Sequence, residues 1–374
     1  MTARERLRET LLFGKPDRVP FAPGGPREST LVAWRQQGLP ERRNYMEVLF
    51  ELLGIEPEVT QRQVSPGVSF TMIPTFEEKV LEHRDGHYIV QDWMGAITEI
   101  SDRYHYTYIR AAKDFVTRKW HRFPVQNRDE WERMKQRYDP RAPGRFPDDF
   151  EQRCRRLRDR DYPVSIHFNG PFWQMREWCG FEGLCCLMAD DPGFVEEMAA
   201  FWAEFVSQTM AAILERVELD VAGISEDMAY KEHSMISPAM VRRFLMPAYE
   251  RWAAEIKASA CSIIDMDSDG MIDELIPLWI EVGINCCDPI EVAAGNDIVE
   301  FRRLFGHRMA YRGGIDKRAI AKGGDAMRAE VMRVTPVLSD GGYIPGCDHG
   351  VPPDISWPDF IEYARLLAQL TGWL

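Results

Sequence analysis

The stretch IIDMDSDG at residues 263–270 carries an aspartate at every second position of an apolar segment. Side chains of a strand alternate between its two faces, so Asp265, Asp267 and Asp269 would point to the same side. Three carboxylates cannot be ordinary core, because an unpaired buried charge is costly. The stretch therefore predicts a strand whose acids meet solvent, a cation, a basic partner or a proton. The alternative is that Asp269 merely caps a helix beginning near Met271 and the others face water.

Six short apolar runs alternate with helical segments beyond residue 163, which predicts parallel strands joined by helical crossovers. These runs are residues 164–168, 219–224, 262–266, 283–287, 309–312 and 342–345. With further strands at Val19 and near Val59, the count favours a (β/α)8 TIM barrel with an N-terminal helical and strand elaboration. The competing fold is a doubly wound sheet, but no strand precedes a GxGxxG or Walker-type loop. We predict a single domain over residues 1–374, elaborated at about residues 60–160.

Charge and composition argue against several classes of function. The net charge is −13, whereas a nucleic-acid partner needs a concentrated basic surface. No apolar run approaches the roughly 18 residues of a membrane span, and the N-terminal segment lacks the apolar centre of a signal peptide. The eight cysteines include no CxxC pair, so neither a zinc knuckle nor a redox dithiol is indicated. We therefore expect a cytoplasmic protein that binds neither nucleic acid nor membrane.

Polar residues follow the predicted strands, at the end where barrel enzymes build their active sites. They are His167 and Asn169, then Glu226, Asp227 and Tyr230, then Asp267, Asp269, Asp288, Tyr311, Asp316, Cys347, Asp348 and His349. Crowded carboxylates raise one another's pKa, so such a set keeps a proton for acid–base work or is neutralised by a metal. A thiolate and an imidazole with carboxylates suit zinc, and more oxygen favours manganese or magnesium. Structural alternatives stay open, because Cys347 and His167 also suit a core and Glu226 and Asp227 also suit a helix cap.

Several ordered segments resemble the uroporphyrinogen decarboxylase superfamily. They are IHFNGPF at 166–172 with ADDP at 189–192, SEDM at 225–228 with ISP at 236–238 and FLMP at 244–247, DSDG at 267–270, NCCDP at 285–289, YRGGID at 311–316 and GGYI at 341–344. The resemblance extends from residue 163 to the C-terminus and implies a β/α barrel. The superfamily contains decarboxylases of the haem pathway and methyltransferases that move methyl groups between corrinoid proteins and small donors or acceptors.

The N-terminal strand distinguishes these two branches. In true decarboxylases of the superfamily this strand is rich in arginine and grips the carboxylates of the porphyrinogen. The corresponding residues 19–25 read VPFAPGG and contain no arginine. The resemblance is therefore closer to the methyltransferase branch.

The methyltransferases of the superfamily hold zinc with a his-x-cys-gly motif and a later cysteine. Aligned on the glycine, Asp267 and Asp269 stand at the histidine and cysteine positions, and Cys347 matches the later cysteine. The resemblance thus implies a Cys/Asp/Asp site for zinc or another divalent metal. With oxygen ligands the metal would act as a Lewis acid on an ether or hydroxyl oxygen. A methoxylated aromatic or a methylamine-like compound would suit such a site better than the usual thiol.

The leading hypothesis is a methyltransferase that acts on a small methylated or methyl-accepting compound, with cobalamin carried by a partner corrinoid protein. Acid–base and orienting roles would fall to Glu226, Asp227, Asp267 and His349. The pocket would be lined by His167, Asn169, Tyr230 and Tyr311. Two alternatives stay open: a metal-independent decarboxylase or lyase, and a non-catalytic barrel that binds a tetrapyrrole or a corrinoid protein. The choice between a monomer and a homodimer is also left open.

Overall fold

The computed structural model describes residues 1–57, 64–110, 114 and 116–374. Ten strands in these ranges form one antiparallel and one parallel sheet. The strands are β1 (Lys79–Arg84), β2 (His87–Gln91), β3 (Ile97–Ser101), β4 (Lys119–Arg122), β5 (Ser165–Asn169), β6 (Val221–Ser225), β7 (Ile263–Asp267), β8 (Cys286–Asp288), β9 (Ala310–Ile315) and β10 (Tyr343–Cys347). The parallel sheet contains β5 to β10 in chain order, so each strand lies beside the next one along the sequence. All six strands predicted beyond residue 163 are thus confirmed, within three residues of their predicted ends.

Extended segments continue the parallel sheet at both edges. The N-terminal segment runs beside β10, where the amide of Cys347 donates to the carbonyl of Pro23 at 3.4 Å and Pro26 forms a parallel bridge with Val351. At the other edge, the amide of Ser165 donates to the carbonyl of Val64 at 3.1 Å. With these two segments the wall has the eight parts of the predicted (β/α)8 barrel.

The two added segments are less regular than the strand predictions assumed. Prolines at positions 20, 23 and 26 have no amide hydrogen to give to a neighbouring strand, so the segment that begins near Val19 pairs only at intervals. The strand predicted near Val59 lies outside the described residues.

Helices surround the parallel sheet and supply its crossovers. They are α1 (Ala3–Leu11), α2 (Glu28–Gln36), α3 (Tyr45–Leu53), α4 (Arg128–Lys135), α5 (Phe150–Arg156), α6 (Pro171–Cys179), α7 (Phe181–Asp190), α8 (Pro192–Leu214), α9 (Pro238–Phe244), α10 (Met246–Ala258), α11 (Ile276–Val282), α12 (Ile298–Phe305), α13 (Lys317–Lys322), α14 (Gly324–Arg333), α15 (Thr335–Asp340) and α16 (Trp357–Thr371). The helical segment after Ser237 is divided into α9 and α10 at Leu245, because Pro247 cannot continue the helical hydrogen bonds. Among the described residues, no helix combines the length and the hydrophobicity needed to cross a membrane.

Strand alternation sorts the side chains of the barrel wall into two layers. Outward residues pack against helices: the ring of Phe168 lies 5.1 Å from that of Trp252 on α10, and Tyr311 lies 6.2 Å from Phe301 on α12. Inward residues at the N-terminal end of the barrel form a small apolar cluster with α1. This cluster contains Leu7, Leu11, Val221, Ile263, Cys286, Ala310 and Ile344. Because α1 closes that end, the polar inward residues collect towards the opposite, C-terminal end.

The antiparallel sheet of β1 to β4 lies within the elaborated region predicted at about residues 60–160. Its strands pair in sequence order, and Val90 and Ile100 are buried on one face. The outer strand β1 is exposed along its whole length. The sheet is therefore an addition to the barrel and contributes no residue to its wall.

Candidate active site

A cavity of about 830 Å³ lies at the C-terminal ends of the parallel strands. Register explains why polar residues meet there: Asn169 pairs with Ser225, and Ser225 pairs with Asp267. Seven of the residues singled out in the sequence line this cavity, namely Asn169, Asp227, Asp267, Asp269, Asp288, Cys347 and His349. The cavity is therefore the place at which the predicted site residues converge.

An arginine that the sequence analysis did not single out lies in the cavity wall. Arg312 projects inward from β9, and its Nη1 donates to Asp265 Oδ2 at 2.5 Å while Nη2 lies 3.5 Å from Asp288 Oδ2. Burial alone lowers the pKa of Arg312, but the Asp265 and Asp288 carboxylates outweigh burial and raise it. Arg312 therefore stays charged and offsets part of the negative charge at the cavity floor. Its position two residues after the inward Ala310 was the available sequence signal.

His349 and Asp269 form an imidazole–carboxylate pair in the cavity. The Nε2 atom of His349 lies 3.0 Å from Asp269 Oδ2, and its Nδ1 accepts from the amide of Gly350 at 2.7 Å. The hydrogen bond to Asp269 raises the pKa of His349, against the opposing effect of burial. Helix α11 begins only at Ile276, without a side-chain cap, so the reading of Asp269 as a cap near Met271 is wrong. The imidazole of this pair can hold a proton and exchange it with a bound ligand.

Asp227 enters the cavity from the loop after β6 in an unusual backbone conformation. Its φ of 47° lies in the left-handed region, where residues other than glycine are uncommon. Arg176 of α6 donates to its carbonyl oxygen at 2.9 Å and to Oδ2 at 3.4 Å. The same guanidinium lies 4.7 Å from the ring centre of Trp173, which also lines the cavity. Burial, followed by repulsion from Asp269, raises the pKa of Asp227.

Glu226, the neighbour of Asp227, points away from the cavity. Its carboxylate accepts from the amides of Phe172 and Trp173 at 3.4 and 2.8 Å and from the hydroxyl of Tyr249. The two amides belong to the first turn of α6, where a carboxylate also meets the positive end of the helix dipole. Burial raises the pKa of Glu226 to about 7, although these hydrogen bonds oppose the shift. The contacts of Glu226 anchor α6, and the predicted catalytic role stays a prediction.

The three remaining predicted pocket residues lie outside the cavity wall. His167 points into the barrel one layer below, where its ring covers Gly223 so closely that a Cβ there would lie 2.2 Å from Cε1. Tyr230 is 51% exposed, on the loop after β6. Tyr311 is an outward residue of β9 and packs against α12. Strand parity would have assigned Tyr311 to the outer layer and Arg312 to the cavity.

The predicted metal ligands line one cavity without forming a metal site. Asp267 accepts from the hydroxyl of Ser225 at 3.2 Å, and Asp269 is held by His349. Burial raises the pKa of the Cys347 thiol to about 12. Among the described residues, no group of three or more histidine, cysteine, aspartate or glutamate side chains is arranged to hold a metal ion. The Cys/Asp/Asp set as placed therefore does not fit a metal ion.

Comparisons with known proteins point to a family and to the barrel fold. The family model for uroporphyrinogen decarboxylase (URO-D) matches residues 120–360. A solved structure of a methyltransferase from Methanosarcina mazei is similar over 100% of this chain and 98% of its own, with a TM-score of 0.57 and 16% identity. A B12-independent methionine synthase from Shewanella sp. W3-18-1 aligns over 62% of this chain and 68% of its own, with a TM-score of 0.38 and 13% identity. No curated protein matches the sequence.

Proposed function

Because the chain belongs to the uroporphyrinogen decarboxylase family, we propose that it is a methyltransferase acting on a small methylated or methyl-accepting compound together with a corrinoid protein. The observation that carries the proposal is the acidic cavity at the C-terminal end of the barrel. Four aspartates line it, at positions 227, 267, 269 and 288. Membership of the family accounts for the barrel fold. The negative charge of the cavity favours some reactions of the family over others.

Decarboxylation of uroporphyrinogen fits this cavity poorly. That substrate bears many carboxylates, which the aspartates of the wall would repel. An N-terminal strand rich in arginine could balance that charge, but residues 20–25 of this chain read PFAPGG and line the cavity without a charge. Arg312 is already held by Asp265 and Asp288. A small substrate that carries no negative charge suits the site better.

The side chains in the cavity divide the work of the proposed reaction. His349 and Asp269 share a proton between Nε2 and Oδ2, and the pair can pass it to the departing oxygen or nitrogen atom of the methyl donor. Asp227 and Asp267 hold the substrate by charge and hydrogen bonding. A reduced corrinoid, when presented by its carrier protein, supplies the nucleophile for the methyl group. We assign no step to a metal at Cys347, because no group of three or more ligating side chains among the described residues is arranged to hold one.

The proposal is tested by mixing the purified protein with cob(I)alamin and a panel of methylated amines and methoxylated aromatics, and following the visible spectrum of the cobalamin. We expect at least one donor to convert the cobalamin to its methylated form. His349→Gln should slow this conversion by about 10²-fold or more, because it removes the proton donor. His83→Gln is the matched control, since His83 pairs with Asp102 at the same 3.0 Å distance but lies on the antiparallel sheet.

Two results would refute the proposal. One is an unchanged cobalamin spectrum with every donor, and the other is release of CO2 from uroporphyrinogen. The second candidate function is a metal-independent decarboxylase or lyase of a smaller carboxylate. The His349–Asp269 pair favours it, because an imidazole in a cavity can protonate the carbanion left by CO2. Release of CO2 from a small carboxylate that persists in a chelator would support this second function.

A further inference from the structure

The wall of the cavity carries more negative than positive charge. Five carboxylates lie in the wall or directly behind it, at Asp227, Asp265, Asp267, Asp269 and Asp288. The basic side chains in the wall are Arg312 and His349, and Arg176 contacts Asp227 from outside it. The residues that line the cavity therefore include more carboxylates than basic side chains.

The positive groups of the wall are engaged with these carboxylates. Arg312 lies 2.5 Å from Asp265, His349 lies 3.0 Å from Asp269, and Arg176 lies 3.4 Å from Asp227. An anionic ligand would have to displace a carboxylate from one of them, which leaves that carboxylate without its partner in a poorly solvated site. Repulsion from Asp269 contributes to the raised pKa of Asp227, which is a second sign that negative charge is concentrated in this cavity. A cation would relieve this repulsion without breaking an ion pair.

The rest of the wall suits an apolar, methylated group. Phe21, Tyr45 and Trp173 contribute aromatic rings, and the proline and glycine residues at positions 20, 23, 24 and 25 contribute an uncharged surface. Aromatic faces attract organic cations as well as apolar groups. A bare metal ion is not the natural occupant, because no group of three ligating side chains is present among the described residues.

We infer that the cavity selects a methylated ammonium compound, a cation, over neutral and anionic compounds of the same shape. The inference deepens the proposed function and rests on it, since it names the class of compound that the methyl-transfer site takes. It also separates two classes that the sequence left open, because a methoxylated aromatic is neutral and a methylated amine carries a charge.

The test compares three probes of nearly identical shape by titration calorimetry with the full-length protein. Choline is the cation, 3,3-dimethyl-1-butanol is its neutral counterpart, and 3,3-dimethylbutanoate is an anion of the same shape. We expect choline to bind at least tenfold more tightly than the neutral alcohol, and the anion to bind most weakly. Equal or tighter binding of the neutral alcohol, or no binding of choline, would overturn the inference.

Substitutions locate the source of the preference. Asp267→Asn and Asp227→Asn keep the shape of the wall, and each should reduce the preference for choline by about tenfold while the affinity for the neutral alcohol stays the same. Glu274→Gln is the matched control, because Glu274 follows β7 but is exposed outside the cavity. Unchanged selectivity in both aspartate variants would place the preference elsewhere and overturn the inference. The melting temperature of each variant identifies one that does not fold.

These binding measurements contain no corrinoid, so they can be separated from the methyl-transfer assay. Selective binding of choline without transfer from any donor supports the charge preference and refutes the proposed function. Methyl transfer from a neutral ether, with no preference among the three probes, supports the proposed function and overturns the inference.

Discussion

At the scale of single residues, three aspartates of one strand and its following loop have three different environments. Asp265 is 1% exposed and faces Arg312 inside the barrel. Asp267 lines the cavity beside Ser225, and Asp269 pairs with His349 beyond the strand end. Their common orientation follows from strand alternation. Their different chemistry follows from partners contributed by other strands.

Arg312 is the residue whose removal tests the charge arrangement below the cavity. Arg312→Met would leave the buried carboxylates of Asp265 and Asp288 without the guanidinium that both contact. We expect the free energy of unfolding to fall by about 3–5 kcal/mol, the usual effect of removing one partner of a buried ion pair. Urea denaturation measures this loss. Arg318→Met is the control, because the Arg318 side chain is 57% exposed and its pair with Asp316 should contribute at most about 1 kcal/mol. A loss below about 1 kcal/mol for Arg312→Met would contradict the importance of the contacts that Arg312 makes with Asp265 and Asp288.

The partners of these residues could not be predicted from the sequence in the same way as the strands. Alternation in residues 263–270 placed the three aspartates on one side, but Arg312 stands 47 positions from Asp265 and its contact depends on the barrel closing. Glu226 and Asp227 point in different directions because they lie on a loop, where the φ of 47° at Asp227 replaces strand alternation. No periodic pattern in the sequence reports such a turn.

At the scale of elements, the first turn of α6 connects the barrel core to the cavity wall. The amides of Phe172 and Trp173 donate to Glu226, and the Arg176 side chain reaches Asp227. Gly170 permits this arrangement, since a Cβ there would lie 2.1 Å from the Glu226 carboxyl carbon. The segment IHFNGPF was recognised in the sequence as a motif. The structure supplies its physical reason, because the helix begins against a buried carboxylate.

The pH dependence of stability tests this anchoring. Burial raises the pKa of Glu226 from 4.5 to about 7, so the folded protein holds this proton more tightly than the unfolded chain. The resulting stabilisation is present below the unfolded pKa and is lost as pH rises through the folded pKa. Relative to Glu226→Gln, we expect the wild-type free energy of unfolding to fall by roughly 3 kcal/mol as pH rises from 4.5 to above 7.

Chemical denaturation at a series of pH values measures this difference. Arg176 and Tyr249 are the ionisable side chains that act on Glu226, and both are the same in the wild type and in Glu226→Gln. Glu232→Gln, on the exposed part of the same loop, should follow the wild type at every pH. Parallel curves for the wild type and Glu226→Gln would mean that the hydrogen bonds from Phe172, Trp173 and Tyr249 keep Glu226 ionised in spite of burial.

At the scale of the whole molecule, a barrel closed at one end by α1 concentrates charged groups at the other. The leucines of α1 and the inward residues of five strands form the apolar floor, so the inward aspartates and Arg312 lie above it. The sequence alone predicted this architecture well, because six apolar runs with helices between them have few alternative arrangements. It predicted the proline-rich N-terminal segment less well, since that segment belongs to the barrel wall without regular strand pairing.

The whole molecule and the cavity wall make separable contributions to the binding of a cation. The net charge of −13 attracts a cation at long range. Salt screens this attraction, because the Debye length falls from about 10 Å at 0.1 M to about 3 Å at 1 M. The aspartates of the wall lie within a few ångströms of a bound ligand, where screening is weaker. We therefore expect the affinity for choline to fall about three- to tenfold between 0.1 and 1 M NaCl, while choline still binds more tightly than 3,3-dimethyl-1-butanol. Titrating both compounds at each salt concentration tests this, because the neutral alcohol corrects for effects of salt unrelated to charge. A preference that disappears at 1 M NaCl would trace the selectivity to the overall charge of the protein rather than to Asp227, Asp267 and their neighbours.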